Sequence, residues 1–389
     1  MHIVMIGQKG LPPHSGGIER HVYELARGLV CAGHRVTVYG RPWYTSKAGW
    51  TEGVRVRLSK GIHTKHLDAI THGLTSVIDA MREHPDVIHL HGSGAALLVP
   101  LTRLLHPRAR TVVTFHCIDR TLAKWNVLAK LAFRIGEWFA CYLAHRTIVV
   151  SQQLALYCLR TYGCQVTYIP HPLSIPAIEA INAYVSLPHG LQPERYFLCV
   201  TRLIPDKQIH TLIHAYADAR RSHPERFAGL PLVIAGAGSW TNAYVRRIRA
   251  LASKTDGVHL LGERSGEELR TLQAQAYAHV LPSASEGLAF ALLEAASFRR
   301  PIVMTDLPQN LEATGGNGIL VKPADQDSLM RGLVQVSCMP LSVREHMGRR
   351  LYEHVALQNC RDTRVAETVQ VYRETVGEMP IECVAVHTG

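Results

Sequence analysis

HIVMIGQKGLPPHSGGIERHVYELARGLVCAGHRVTVYG, residues 2–40, is the stretch that decides the fold. Its opening run, HIVMIG, is apolar without polar alternation, the pattern of a strand buried on both faces. A loop rich in glycine and proline follows. Ile18, Val22, Leu25, Ala26 and Leu29 then recur at helical spacing, and Gly33 stops the helix. RVTVYG, residues 35–40, reads as a second strand. Strand, helix and strand in so short a span is the unit of parallel α/β construction.

Working outward, strands are predicted at Val54–Leu58, Val87–His91, Thr111–His116, Thr147–Val150 and Val166–Ile169. A second round begins at Tyr196 with YFLCV. It continues through PLVIAG (231–236), His259–Leu261, His279–Leu281, PIVMT (301–305) and GILV (318–321). Pro170, Pro172, Pro176, Pro188 and Pro193 mark a hinge between the rounds. The expectation is two α/β domains, 1–185 and 186–360, with parallel sheets and a ligand cleft between them. Residues 361–389 are predicted to be a C-terminal helix, Asp362–Val376, and a tail crossing back to the first domain.

Composition sets the limits. A chain of 389 residues suits two domains at roughly 100–200 residues each. Apolar residues are 47% and charged residues 19%, which excludes a disordered chain. No signal peptide is read at the N-terminus, and apolar runs such as Ala95–Leu101 fall short of the ~20 residues of a membrane span. Nine cysteines without a C-x-x-C pair point to reduced cytosolic thiols. The net charge of +11 is uneven: +10 in residues 1–185 and +1 in 186–389. A one-sided basic domain suggests a polyanionic neighbour, against the alternative of plain solubility.

Several motifs are absent: no G-x-G-x-x-G after the first strand, no P-loop, no G-x-S-x-G and no H-E-x-x-H. His89 and His91 lie at i, i+2 on one strand with no cysteine or carboxylate nearby, and read as strand-end polar residues rather than metal ligands. What remains is positive. Gly16–Gly17 stand before a helix, where backbone can approach an anion closely. Arg202 and Lys207, in TRLIPDKQIHTLIHAY, follow the second domain's first strand and can neutralise a departing diphosphate. Glu286 and Glu294, in SASEGLAFALLEA, can each hydrogen-bond a set of hydroxyls, and amides at the helix start face phosphate.

With these motifs together, the sequence resembles the retaining nucleotide-sugar glycosyltransferases of family 4, of GT-B fold with two facing Rossmann-like domains. The likeness runs from Met1 to about residue 340. The family's Gly-Gly loop matches Gly16 and Gly17, and its strand ending in histidine matches TFHCID with His116 and Asp119. Its Arg-x4-Lys grip matches Arg202 and Lys207, and its Glu-x7-Glu motif Glu286 and Glu294. KGLPPHSGGIERHVYELARGL and RTLAKW are similar to bacterial members that build surface polysaccharides. The chain differs at Gln208, where a glycine is common, at LAFA (288–291) in place of FGLP, and at His171–Pro172 in place of Asn-Gly.

The resemblance implies a nucleotide-sugar donor on the second domain and no metal. Glu294 would hold the ribose, Arg202 and Lys207 the diphosphate, and Glu286 and His116 the sugar. Gly16, Gly17, Gly287, Leu288 and Ala289 would line the donor. His116, Arg202, Lys207 and Glu286 would carry catalysis. The acceptor, a saccharide or lipid-linked saccharide of exopolysaccharide, capsule or lipopolysaccharide assembly, would lie near Asp119, Arg120 and Lys124. A cytoplasmic protein, peripheral on the anionic cytoplasmic face of the inner membrane, is expected. The helical segment Thr121–Tyr142 bears on this. Leu122, Trp125, Leu128, Ala132, Ile135 and Phe139 recur along it beside Lys124, Lys130 and Arg134. It reads either as a core helix with solvated charges or as one lying on a bilayer. Rival readings are a GT-B epimerase or phosphorylase, and a basic nucleic-acid or membrane-surface binder. The absence of any recognisable binding module speaks against nucleic acid.

Overall fold

The computed structural model describes residues 1–14, 16–64, 67–121, 125–175, 187–238 and 241–377. The first sheet holds β1 (His2–Ile6), β2 (Arg35–Gly40), β3 (Gly49–Thr51), β4 (Val54–Leu58), β5 (Val87–His91), β6 (Arg110–Phe115), β7 (Arg146–Val149) and β8 (Thr167–Tyr168). Their order is β3-β4-β2-β1-β5-β6-β7-β8. The second holds β9 (Phe197–Val200), β10 (Leu232–Ala235), β11 (Val258–Gly262), β12 (Ala278–Leu281), β13 (Ile302–Thr305) and β14 (Ile319–Val321), in the order β11-β10-β9-β12-β13-β14. Every pairing is parallel except β3 with β4. The strands expected from sequence are all present. β3 was not expected: it is three residues long and turns into β4 through Glu52 and Gly53, both at positive φ. Paired positive φ angles suit the tight turn of a two-residue hairpin, but three residues give no alternation to read.

β1 lies between β2 and β5, with Ile3 opposite both Val36 and Val87. β9 likewise lies between β10 and β12. Chain order reverses at β1 and at β9, so the loops leaving β1, β5, β9 and β12 open onto two topological switch points, where open α/β sheets bind ligands. Gly16–Gly17 follow β1, Arg202 and Lys207 follow β9 and Glu286 follows β12, while His116 and Asp119 follow the neighbouring β6.

The helix Arg361–Val376 packs into the first domain's core, placing Val365, Val369 and Tyr372 among Ile3, Val22 and Leu25. Gly28 makes room for it, because a Cβ there would stand 2.4 Å from Val365 Cγ2. A separate apolar cluster joins Phe115, Val149 and Leu154 from the first domain to Leu288, Phe290 and Leu292 from the second. Two first-domain helices start under side-chain caps: Asn126 accepts from the Ala129 N–H, and Ser151 from that of Leu154.

The helix Val127–Tyr142 has one docked face and one exposed face. Its inward face is Gly136, Glu137 and Ala140, and a Cβ at Gly136 would collide with the Ser93 carbonyl. Leu128, Leu131, Ile135, Trp138 and Tyr142 face outward, Leu128 at 76% exposure. Gly136, Glu137 and Ala140 dock this helix, with Phe133 beside Gly94 and Phe139 against the first domain's core, while its other large apolar side chains remain at the surface. Leu122 and Lys124 lie outside the described residues. Among those residues no helix is long and apolar enough to cross a membrane, and the cysteines are free thiols.

Candidate active site

On the second domain, β9 delivers Arg202 and then a single turn, Pro205–Lys207, before the helix Ile209–Ser222. Lys207 Nζ donates to Glu286 Oε1, with only 13% and 10% of the two side chains exposed. The Ala284 N–H donates to the Asp206 carbonyl at 2.8 Å, which ties the loop after β9 to the loop after β12. A charge pair this sheltered is attracted more strongly than one in water, and removal of either partner strands the other. Gln208 stands in the left-handed region at φ 53°, where the glycine common in related sequences carries no strain. Its side chain compensates: the amide donates to the Pro205 carbonyl at 3.2 Å, and the oxygen accepts from Thr211 at 2.8 Å.

Loops from the two domains meet across the cleft. A Cβ on Gly287 would lie 2.1 Å from the His116 carbonyl and 2.7 Å from Cys117 Cβ, so only glycine permits the approach. Gly17 also faces the second domain, its virtual Cβ in ordinary contact with Phe290 at 3.4 Å. Gly16 holds φ 105° at the head of the helix Gly17–Cys31, and Glu19 folds under it to accept the Lys9 N–H at 3.0 Å. Arg20 Nε reaches Glu294 Oε1 at 3.1 Å. Desolvation raises the Glu294 pKa, and Arg20 pulls against it. Leu288 and Ala289 are buried in the apolar cluster between the domains. The structure thus gathers Gly16, Gly17, His116, Glu286, Gly287, Leu288, Ala289 and Glu294 along one seam, with Lys207 paired to Glu286 and Arg202 on the same β9 loop.

Under this seam the first domain places imidazoles. His116 follows β6, with Nε2 3.3 Å from His91 Nδ1 at the end of β5. His21, from the helix after β1, sets Nδ1 2.8 Å from His171 Nδ1. His171 and His116 stack at 5.7 Å. Burial lowers all of them: His171 to about 4 and His89, behind them, to about 3, with His21, His91 and His116 well below the usual range. They are neutral at physiological pH. The His171–Pro172 difference from related sequences therefore supplies one member of the cluster.

The acceptor-side candidates are otherwise engaged. Asp119 accepts from Ser93 Oγ at 2.7 Å and from Cys117 Sγ at 3.4 Å. Arg120 directs its guanidinium to Glu137 Oε2 at 3.2 Å and to the Tyr157 hydroxyl at 2.7 Å. Glu137, whose side chain is fully buried, also accepts from Tyr157 and Tyr162 at 2.6 and 2.7 Å. Arg120 thus neutralises a buried carboxylate. Sequence reasoning missed Arg20, His21, Glu137 and His171. The one signal for His21 was its place on the polar face of an otherwise amphipathic helix that also buries Glu19 and Glu24.

Two parallel-sheet domains meeting switch point to switch point define a GT-B fold, and the matches of both halves make the chain a glycosyltransferase. Family comparison agrees. Residues 15–175 match the model of Glycosyltransferase Family 4, and residues 194–338 that of Glycosyl transferases group 1. It is 26% identical over 382 residues to a glycogen synthase of Mycobacterium tuberculosis, covering 88% of this chain and 83% of that one. It is 25% identical over 351 residues to O-antigen chain mannosyltransferase C of Escherichia coli, covering 86% and 88%. Sucrose-phosphate synthase from Thermosynechococcus elongatus superposes with TM-score 0.80 at 20% identity, over 97% of this chain and 100% of that one. Anabaena Alr3699/HepE, solved in complex with UDP and glucose, gives TM-score 0.74 at 16% identity, over 95% and 100%.

Proposed function

We propose that the protein transfers a sugar, with retention of anomeric configuration, from a nucleoside-diphosphate sugar to a hydroxyl of a lipid-linked saccharide. The observation that carries this reading is the sheltered Lys207–Glu286 pair on the β9 and β12 loops, with Gly287 laid directly on His116. Arg202 and Lys207 receive the diphosphate, and Glu294 the ribose hydroxyls. Glu286 and His116 contact the donor sugar, while Gly16, Gly17 and the 287–289 backbone close over it. The bond from the anomeric carbon to the diphosphate oxygen breaks, and the acceptor oxygen joins that carbon from the same face. The acceptor proton passes to the departing phosphate oxygen. Catalysis is then stabilisation of the charge that develops on the diphosphate, supplied by the two cations rather than by a metal at that position.

The UDP and glucose held by HepE and the O-antigen relative support the donor and acceptor classes. The outward apolar face of the helix Val127–Tyr142, flanked by exposed Lys130 and Arg134, supports a membrane-bound acceptor. Apolar side chains enter the interface while each basic residue adds on the order of 1 kcal/mol on an anionic surface. Thermal-shift measurement with UDP, GDP, ADP and TDP and their sugar conjugates tests the donor. A ligand at 100 times its dissociation constant stabilises by ~2.7 kcal/mol. One nucleotide is expected to shift wild type and not Glu294→Ala, and no shift from any of them would refute the reading. Flotation on anionic vesicles tests the acceptor side: wild type is expected to float, and Leu131→Glu with Trp138→Glu to remain behind.

A further inference from the structure

Five histidines converge beneath the cleft, and their hydrogen bonds divide them into two groups. His89 is satisfied at both nitrogens, by the Tyr372 hydroxyl at 2.7 Å and Thr114 Oγ1 at 2.6 Å. His171 is also occupied, by His21 and by the Leu288 backbone. The other three are not. His21 Nε2, His91 Nε2 and His116 Nδ1 are buried without a hydrogen-bond partner among the described residues. An unmet polar atom in a protein interior costs about 1–3 kcal/mol, and His21 Nε2 is the one of these left to take a new partner beside the contact between His91 Nδ1 and His116 Nε2. The charges that act on these rings come from other histidines, and no carboxylate is among them.

One ring nitrogen from each of His21, His91 and His116 lies within 4.8 Å of the others. Two ligands 2.0–2.1 Å from a tetrahedral zinc ion stand about 3.3–3.4 Å apart. His91 Nδ1 and His116 Nε2 are already 3.3 Å apart. With His21 Nδ1 taken by His171, its Nε2 is the nitrogen left to complete the set. We propose that His21, His91 and His116 bind a divalent transition-metal ion of the zinc class at the floor of the interdomain cleft.

An all-imidazole set suits zinc and its borderline neighbours rather than magnesium or calcium, which take oxygen ligands. The rings must be neutral to ligate, and burial holds them so. His171 is the orienting partner of His21, the role an outer hydrogen bond plays in fixing a ligand's tautomer. The three ligands come from the helix after β1, the last residue of β5 and the residue after β6, so the ion ties together the first domain's switch point. It also decides a proton. With Nε2 on the metal, His116 Nδ1 carries a hydrogen and becomes a donor. This site is distinct from the diphosphate grip and stands whether or not the donor reading does.

The test uses the full chain without any nucleotide. Protein stripped with EDTA is dialysed against limiting Zn2+ at neutral pH, desalted and assayed for metal. Wild type is expected to retain one equivalent. His21→Gln and His91→Gln are each expected to bind at least tenfold more weakly, with unchanged circular dichroism. Loss of retained zinc in wild type, or full retention in both variants, overturns the proposal. Should the variants not fold, X-ray absorption of zinc-loaded wild type decides: a nitrogen shell with imidazole scattering supports the site, and sulfur scatterers overturn it. Because no donor is present, failure here leaves the transferase reading to its own nucleotide test.

Discussion

Beneath the cleft the first domain offers imidazoles held neutral by burial, while the second offers an ammonium paired with a carboxylate and a guanidinium on the same loop. Of the nine buried histidines described, eight belong to the first domain, His279 being the exception. Yet the first 185 residues carry the +10 and the remainder only +1. Net charge and site charge are thus on opposite domains. The first domain's basic residues lie on its outer surface or neutralise carboxylates, as Arg120 does for Glu137. The near-neutral second domain carries 22 Lys and Arg against 21 Asp and Glu, and two of those cations, Arg202 and Lys207, lie on the β9 loop. Summed charge describes what a surface meets, and it does not locate the charges that act in a cleft.

The largest expected effect belongs to the charged side. Lys207→Ala removes one preorganised cation from the diphosphate and strands Glu286, and should cost about 2–4 kcal/mol, roughly 10²–10³-fold in kcat. Steady-state turnover with the identified donor measures it, and a kcat within twofold of wild type removes Lys207 from that role. The neutral side is broken by acid instead. Its histidines have folded pKa values below the unfolded value of 6.5, reaching about 4 for His171 and about 3 for His89. The unfolded chain therefore takes up protons first. Stability is complete above pH ~6.5 and falls progressively as pH drops toward the folded values. The melting temperature should drop by several degrees, at roughly 2–4 °C per kcal/mol, between pH 7 and 5. His171→Asn should flatten that slope.

The contrast also explains what the sequence carries. Strands and their two rounds are legible because burial on both faces writes itself as continuous apolar runs such as HIVMI and LVIA, while Pro176 of the expected hinge lies outside the described residues. Arg202, Lys207, Glu286 and Glu294 are legible because each pair lies within one strand–loop–helix unit. The imidazole cluster is not legible. His21, His91, His116 and His171 come from four separate segments, and only the parallel crossovers bring them together. His89 and His91 alone look like ordinary strand-end residues. The outward face of the helix Val127–Tyr142 is hidden for another reason: periodicity reveals a stripe, but Gly136, Glu137 and Ala140 decide which side docks.

One contact joins the two chemistries, and it should compete with the donor. Arg20 holds Glu294 at 3.1 Å with 34% and 20% of the side chains exposed. A half-exposed pair of this kind contributes about 0–1 kcal/mol, which a ribose taking Glu294 must displace. Arg20→Ala should therefore tighten nucleoside-diphosphate binding, by up to about fivefold, while Glu294→Ala weakens it. Isothermal titration of both variants distinguishes this from the converse. Weakening in both would make Arg20 a donor contact in its own right.

The smallest effect is expected on the charged side, at the residue following the grip lysine. Gln208 occupies φ 53°, ψ 34°, a conformation costing a residue with a Cβ about 1–2 kcal/mol. Glycine would relieve that cost. It would also loosen the unfolded chain by roughly 0.4–1 kcal/mol and lose the side-chain bonds to Pro205 and Thr211. These terms nearly cancel, so Gln208→Gly should stabilise by no more than ~1 kcal/mol, a rise in melting temperature of at most roughly 2–4 °C. A fall of several degrees would mean that the Gln208 side chain, and not the backbone turn, positions Lys207. In that case kcat should fall with stability, because the ammonium on the diphosphate would then depend on a hydrogen-bonded glutamine rather than on the geometry of the loop.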